Sequence, residues 1–358
     1  MAVSNRMSPL LKRDKADPED FYYELPEARI AEYPVEPRDS SRLMAINRGT
    51  KTIHHERFTD LPAFLDAGDV LVVNSSKVYP AQIQAIKDDN KDPIDLFLLR
   101  ELQSNVWEVS VDPARKVRIG NTLNLTDNLQ CDVIDNTVSS GRVVVFDDGV
   151  TDVKKTLEEI GQAPLPPYIQ REPEPKDKSR LQSIFADEYG SIAIPSAGLH
   201  FTESLIRQLE DEGINVVTIT HHLGYDGYQF LDVKDLSSMD MQPERYYISQ
   251  ESADVINTAR DNGHRIIAGG SSVVRALESA HFEGNRVIPG EDWTELFIYP
   301  PFEFDIVDGL VTNFHRPKSM PLILQSAFYN NEALMGAYQE ALDQHYRFLG
   351  FGDAMLII

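Results

Sequence analysis

The stretch RIIAGGSSVVRALESA, Arg265–Ala280, decides how the chain is read: a short apolar run, two glycines, two serines, then helical periodicity with Arg275 inside it. A run of this kind that passes through Gly-Gly straight into a helix is the strand-to-helix unit of a sheet with helices packed on it. The same order recurs nearby. INVVTIT (Ile214–Thr220) is a β-branched strand and ESADVINTARDNG (Glu251–Gly263) is helical. Upstream, SIAIP (Ser191–Pro195) reads as a strand leading into the helical TESLIRQLEDEG (Thr202–Gly213). This alternation predicts an α/β body with a mainly parallel sheet and flanking helices. The first 68 residues, with a strand-like RLMAINR (Arg42–Arg48) and a helical DLPAFLDAG (Asp60–Gly68), belong to the same body.

Residues 69 to 150 read differently. DVLVVN, AQIQAI, IDLFLLRE, VWEVSV, TLNL, CDVID and GRVVVF are short β-type runs broken by Asn, Asp, Gly and Pro. Closely spaced strands with turn signals between them describe an inserted small all-β barrel. The expected division is therefore 1–68 for the first part of the α/β domain, 69–150 for the barrel and 151–358 for the second part. TDVKKTLEEIG (Thr151–Gly161) is helical, and the proline-rich QAPLPPYIQREPEPKDKSR after it is a connector.

Composition narrows the function classes. A hydrophobic content of 42% suits packed cores, and no run approaches the roughly 18 to 20 apolar residues of a membrane span. The N-terminal MAVSNRMSPLLKRDK lacks a signal peptide's apolar centre, so a cytoplasmic protein is expected. One cysteine, Cys131, allows no internal disulfide and no cysteine-paired zinc site, and it is read as packing. The formal net charge of −23 disfavours non-specific binding of polyanions, which relies on Lys and Arg.

Several turns carry chemistry. In IPSAGLHF (Ile194–Phe201), Pro195 ends the apolar run, Gly198 gives the backbone freedom, and Ser196 and His200 bring a hydroxyl and an imidazole ahead of a helix that Thr202 caps. In GGSSVVR, free N–H groups, Ser271, Ser272 and Arg275 suit a carboxylate or phosphate; GxxxxGK[ST] and GxGxxG are both absent. His221 and His222 end the INVVTIT strand, and adjacent residues of an extended chain face opposite ways, so only one can enter a shared cavity. NFHRPKS adds Asn313 and His315. No HExxH or comparable spacing points to a metal.

EYPVEPRDSSRLM, GDVLVVNSSKVYPA, PLPPYI, IPSAGLHFT, HHLG, GGSSVVRALES, LFIYPPFEF, TNFHRPKS and YRFLGFGDAMLI, in this order, resemble the S-adenosylmethionine:tRNA ribosyltransferase-isomerase family of queuosine biosynthesis, over nearly the whole chain. The resemblance implies transfer and isomerisation of the ribosyl moiety of S-adenosylmethionine onto 7-aminomethyl-7-deazaguanine in tRNA. Epoxyqueuosine-tRNA forms, with release of adenine and methionine. S-adenosylmethionine is then a consumed substrate, no cofactor is needed, and the protein acts on tRNA as a monomer. The expected catalytic set is His200, His222 and Asp39. Arg38, Asn74, Lys77, Pro195, Ser196, Gly198, Ser271, Ser272, Arg275, Asn313 and His315 are expected to bind substrate. A His200→Ala change is expected to abolish activity and leave the melting temperature nearly unchanged. Lys77, Arg115, Lys116, Arg118, Arg171, Arg316 and Lys318 are the cations expected to meet tRNA, in a cleft between barrel and body.

The chain also departs from the family pattern. Asn74-Ser75-Ser76-Lys77-Val78 stands where NDT[KR]V is usual, His221-His222-Leu223-Gly224 is followed by an extra residue, and MDMQPE (Met239–Glu244) keeps only the glutamate of HxMHxE. Gln82 replaces a usual arginine. These changes make a paralogue that binds a nucleoside or tRNA ligand without the usual catalysis the alternative reading.

Overall fold

Val70–Asn74 is buried at every position, as expected of a strand covered on both faces. In the computed structural model, which describes residues 17–89, 91–137, 141–147, 153–228, 231 and 233–358, it lies near the middle of a nine-stranded sheet. The strand order is Gly290–Thr294, Glu244–Ile248, Asn215–His221, Val70–Asn74, Ile266–Gly269, Gly309–Asn313, Ala354–Ile357, Arg42–Asn47, Thr52–Arg57. The four strands from Asn215–His221 to Gly309–Asn313 run parallel, and Arg42–Asn47 runs parallel to Ala354–Ile357. The other pairings are antiparallel. The sheet is therefore mixed rather than mainly parallel.

Helices Glu203–Asp211, Gln250–Asp261 and Ser271–Ser279 pack on the parallel strands. Burying each of Val70, Leu71, Val72 and Val73 contributes about 1.5–3 kcal/mol. At the opposite end of this strand Asp69 accepts from Arg265 N at 3.0 Å and Arg265 Nε at 2.9 Å, which fixes the register between neighbouring strands.

A six-stranded antiparallel barrel closes in the order Arg142–Phe146, Val106–Asp112, Pro93–Gln103, Gln82–Lys87, Thr122–Asn124, Gln130–Asn136. Gln82–Lys87 alternates buried and outward residues, the period of a strand with one face in a core. Trp107, Leu96, Val144, Phe146 and Cys131 fill that core, together with Val153 and Leu157 of the Val153–Ile160 helix.

Three expectations change. DVLVVN is a strand of the sheet, so six of the seven runs form the barrel. Its continuous VLVV differs from the alternating AQIQAIK, and that contrast was the available signal. The boundaries at 69 and 150 also move. One compact unit comprises residues 1–74, 195–221 and 226–358; the other comprises 75–194 and 222–225. SIAIP, finally, does not form a sheet strand. Glu188–Ser191 instead pairs with Ser76–Val78 in a separate two-stranded sheet, and Pro195 leads into a 3-10 turn, Ser196–His200. Among the described residues no helix is long and apolar enough to cross a membrane.

Candidate active site

The parallel pairings place Asn74, His221, Gly269 and Asn313 at the carboxyl ends of neighbouring strands, the edge at which open α/β sheets bind ligands. Both glycines of GGSS have a local cause. A Cβ on Gly269 would stand 2.9 Å from Val73 Cγ1, and Gly270 has φ +121°, which side chains rarely adopt. A Cβ on Gly270 would also lie 3.4 Å from Ala197 Cβ, so the Ser196–His200 turn sits against the start of the Ser271–Ser279 helix. Four of the expected segments thus meet on one unit: the end of Val70–Asn74, the PSAGLH turn, the GGSS turn and NFH.

His200 is buried, with Nδ1 2.8 Å from Ser41 Oγ and Nε2 3.0 Å from Asn313 Nδ2. Asn313 Nδ2 also donates to Leu349 O at 3.1 Å, which fixes the amide orientation and makes Nε2 an acceptor. The ring is therefore neutral, with its proton on Nδ1. Burial, followed by the charges of Arg38 and Arg347, pushes its pKa down to about 3. Packed 5.0 Å from the Phe58 ring, His200 has no nitrogen left for a substrate proton and organises Ser41 and Asn313 instead. Asn313 Oδ1 is buried without a hydrogen-bond partner among the described residues.

His315 is held similarly. Its Nε2 lies 2.8 Å from Thr312 Oγ1, its N–H donates to the Tyr338 hydroxyl at 2.9 Å, and Tyr23 OH donates to its carbonyl. Desolvation lowers its pKa to about 3. Asp39 accepts from Thr202 Oγ1 at 2.5 Å, and that hydroxyl caps the Glu203–Asp211 helix by accepting from Leu205 N. Asp39 therefore supports the turn that bears His200. Arg38 is half-buried in the adjoining turn, where burial lowers its pKa despite Glu36.

On the GGSS turn Ser272 is buried and its Oγ accepts from Asn74 Nδ2 at 3.3 Å. The Ser271–Ser279 helix has no side-chain N-cap. Ser271 and Ser196 are half-buried and make no hydrogen bond through their side chains to another described residue. These hydroxyls and the uncapped helix end are suited to an oxygen-rich ligand group. Pro195 and Gly198 shape the turn: Gly198 N donates to Pro195 O at 3.1 Å.

Arg275 is held by an ion pair, while its Nη2 is buried without a hydrogen-bond partner among the described residues. Its Nη1 pairs with Glu244 Oε2 and its Nε donates to Leu296 O at 2.9 Å. Glu244 in turn lies 3.3 Å from Nε2 of the fully buried His221. Sequence reasoning did not select His221 or Glu244 for the site. Their link crosses from one strand end to the next, and the glutamate that remains in MDMQPE was the one available signal.

His222 and Lys77 belong to the barrel unit. His222 Nδ1 is 2.8 Å from Ser76 Oγ, which is 2.6 Å from Ser191 Oγ, and its Nε2 is 4.0 Å from Glu188 Oε1. Lys77 Nζ lies 4.0 Å from the centroid of the Tyr189 ring and 3.8 Å from Glu158. The two adjacent histidines thus find their side-chain partners in different units. Of the other expected tRNA contacts, Lys116, Arg171 and Lys318 pair with Asp92, Asp177 and Glu19, and Arg316 donates to Tyr228 O. Arg115 and Arg118 are exposed and have no ionic partner among the described residues. Nor do the described residues include a group of three or more His, Cys, Asp or Glu placed to hold a metal.

Residues 18–357 match the family model described as queuosine biosynthesis protein. The chain is similar to S-adenosylmethionine:tRNA ribosyltransferase-isomerase of Chloroherpeton thalassium, with 44% identity over 94% of this chain and 99% of that protein. The counterpart from Flavobacterium psychrophilum is 43% identical over 94% and 99%. The crystal structure of S-adenosylmethionine tRNA ribosyltransferase from Thermotoga maritima aligns with a TM-score of 0.54 at 34% identity, covering 95% of this chain and 100% of that one. The extent of these matches, together with the fold they share, establishes that the chain belongs to the queuosine biosynthesis protein family.

Proposed function

We propose that the protein transfers and isomerises the ribosyl moiety of S-adenosylmethionine onto 7-aminomethyl-7-deazaguanine in tRNA, giving epoxyqueuosine-tRNA and releasing adenine and methionine. The observation that carries this reading is the gathering of Asn74, the PSAGLH turn, the GGSS turn and Asn313 at one sheet edge, in a chain that matches a relative of that name over 94% of its length. Ser196, Ser271 and the uncapped helix end receive the polar end of S-adenosylmethionine, and the orphan Asn313 Oδ1 accepts a hydrogen bond from it. S-adenosylmethionine is consumed, and no resident cofactor takes part. Both nitrogens of His200 are occupied, so proton transfer does not fall to that ring. Asp39 and Arg38 support the turn. Exposed Arg115 and Arg118 supply the electrostatic attraction to tRNA that the net charge of −23 withholds elsewhere.

The test is release of adenine from labelled S-adenosylmethionine. Release that requires tRNA bearing the deazaguanine precursor supports the reading. A methylated product, or binding without turnover, overturns it.

A further inference from the structure

His221 closes the Asn215–His221 strand with its side chain wholly buried. Its Nδ1 is 2.8 Å from Ser272 O, a carbonyl that can only accept, so Nδ1 carries a proton. Its Nε2 lies 3.3 Å from Glu244 Oε2, within ion-pair range though not aligned as a hydrogen bond. Glu244 Oε2 also receives Arg275 Nη1, so the ring stands between the Ser272 carbonyl on one side and the Glu244–Arg275 pair on the other.

The backbone of the same residue is tied to Asn74. His221 N donates to Asn74 Oδ1 at 3.0 Å, and Asn74 Nδ2 donates to His221 O at 2.9 Å and to Ser272 Oγ at 3.3 Å. The charged and titratable groups around the ring are Glu244 on the neighbouring strand, Arg275 behind it, and Tyr246, the cross-strand partner of His221, whose hydroxyl turns away to Ser279 O. We propose that His221 is a positioning residue: through its ring bond to Ser272 O and its backbone bonds to Asn74, it fixes the Gly270–Ser272 turn against Asn74 and keeps the helix end in its ligand-binding shape. The link to ligand binding rests on the S-adenosylmethionine reading above.

Two measurements test this on the full chain. In protein with 15N-labelled histidine, the His221 ring is expected to carry a proton on Nδ1, engaged with a carbonyl; a ring with an unprotonated Nδ1 overturns the proposal. This measurement needs no substrate, so its outcome is separate from that of the functional reading. The second compares wild type with His221→Phe, which removes the donor to Ser272 O, and with His221→Asn, which keeps a donor near it. The Kd for S-adenosylmethionine is expected to rise about tenfold or more in His221→Phe and to be largely restored in His221→Asn. The same Kd in wild type and His221→Phe, or equal losses in both variants, would overturn the positioning role. If His221→Phe does not fold, the ring measurement decides.

Discussion

Replacing His200 with glutamine should change how stability depends on pH. The wild-type ring is neutral and buried, and its pKa is pushed down to about 3, against an ordinary 6.5. On acidification the unfolded chain takes up this proton first. Stability is then complete above about pH 6.5 and falls as pH drops toward 3. Between pH 7 and pH 5 the unfolded ring becomes largely protonated while the folded ring does not, which removes about 2 kcal/mol from the wild type. This figure hardly changes so long as the folded value stays below about 4. His200→Gln has no such group, so its loss over the same interval should be smaller by about 2 kcal/mol. Urea unfolding at both pH values measures the difference. Identical pH dependence in the two proteins would refute the neutral, enclosed imidazole. The same geometry revises the expectation for His200→Ala: an emptied ring site beside Phe58 and two stranded partners, Ser41 and Asn313, should cost about 3 kcal/mol, so the melting temperature should fall along with activity.

Asp177→Ala leaves Arg171 and Arg180 without the buried carboxylate that both contact, and should destabilise the protein by about 3–5 kcal/mol in calorimetry. Thr202→Ala removes the cap of the Glu203–Asp211 helix and a partner of Asp39; a loss of about 1 kcal/mol is expected in denaturant unfolding. At Gly190 a Cβ would stand 2.0 Å from His222 Nδ1, so Gly190→Ala should push the ring off Ser76 and cost about 1–3 kcal/mol in denaturant unfolding. The double change Arg115→Ala and Arg118→Ala should flatten the salt dependence of tRNA affinity by about 1.5–2 in logarithmic slope; an unchanged slope would remove both residues from the interface.

Much of this was legible in residue patterns. The strand-to-helix alternation through INVVTIT, RIIAG and SSVVRALESA gives the centre of the sheet, and GG before SS marks a turn whose glycines have identifiable steric causes. Where one unit gives way to the other was less clear, because VLVVN and the barrel strands are all β-rich; only continuous against alternating burial separates them. SIAIP misled because an apolar pentapeptide carries no record of its partner, and Pro195 turns the chain away. The roles of individual side chains were least legible. That His200 has both nitrogens occupied, or that Arg275 is neutralised by Glu244, depends on contacts across 113 and 31 positions of chain, which spacing within a motif does not encode.

The central claim is that the sheet edge formed by Asn74, the PSAGLH turn, the GGSS turn and Asn313 holds S-adenosylmethionine. The most direct measurement is a crystal structure of the protein with the unreactive thioether analogue S-adenosylhomocysteine. It should show the analogue within hydrogen-bond distance of Ser196 or Ser271 and of Asn313 Oδ1. An analogue bound away from this edge, with those groups untouched, would contradict the account.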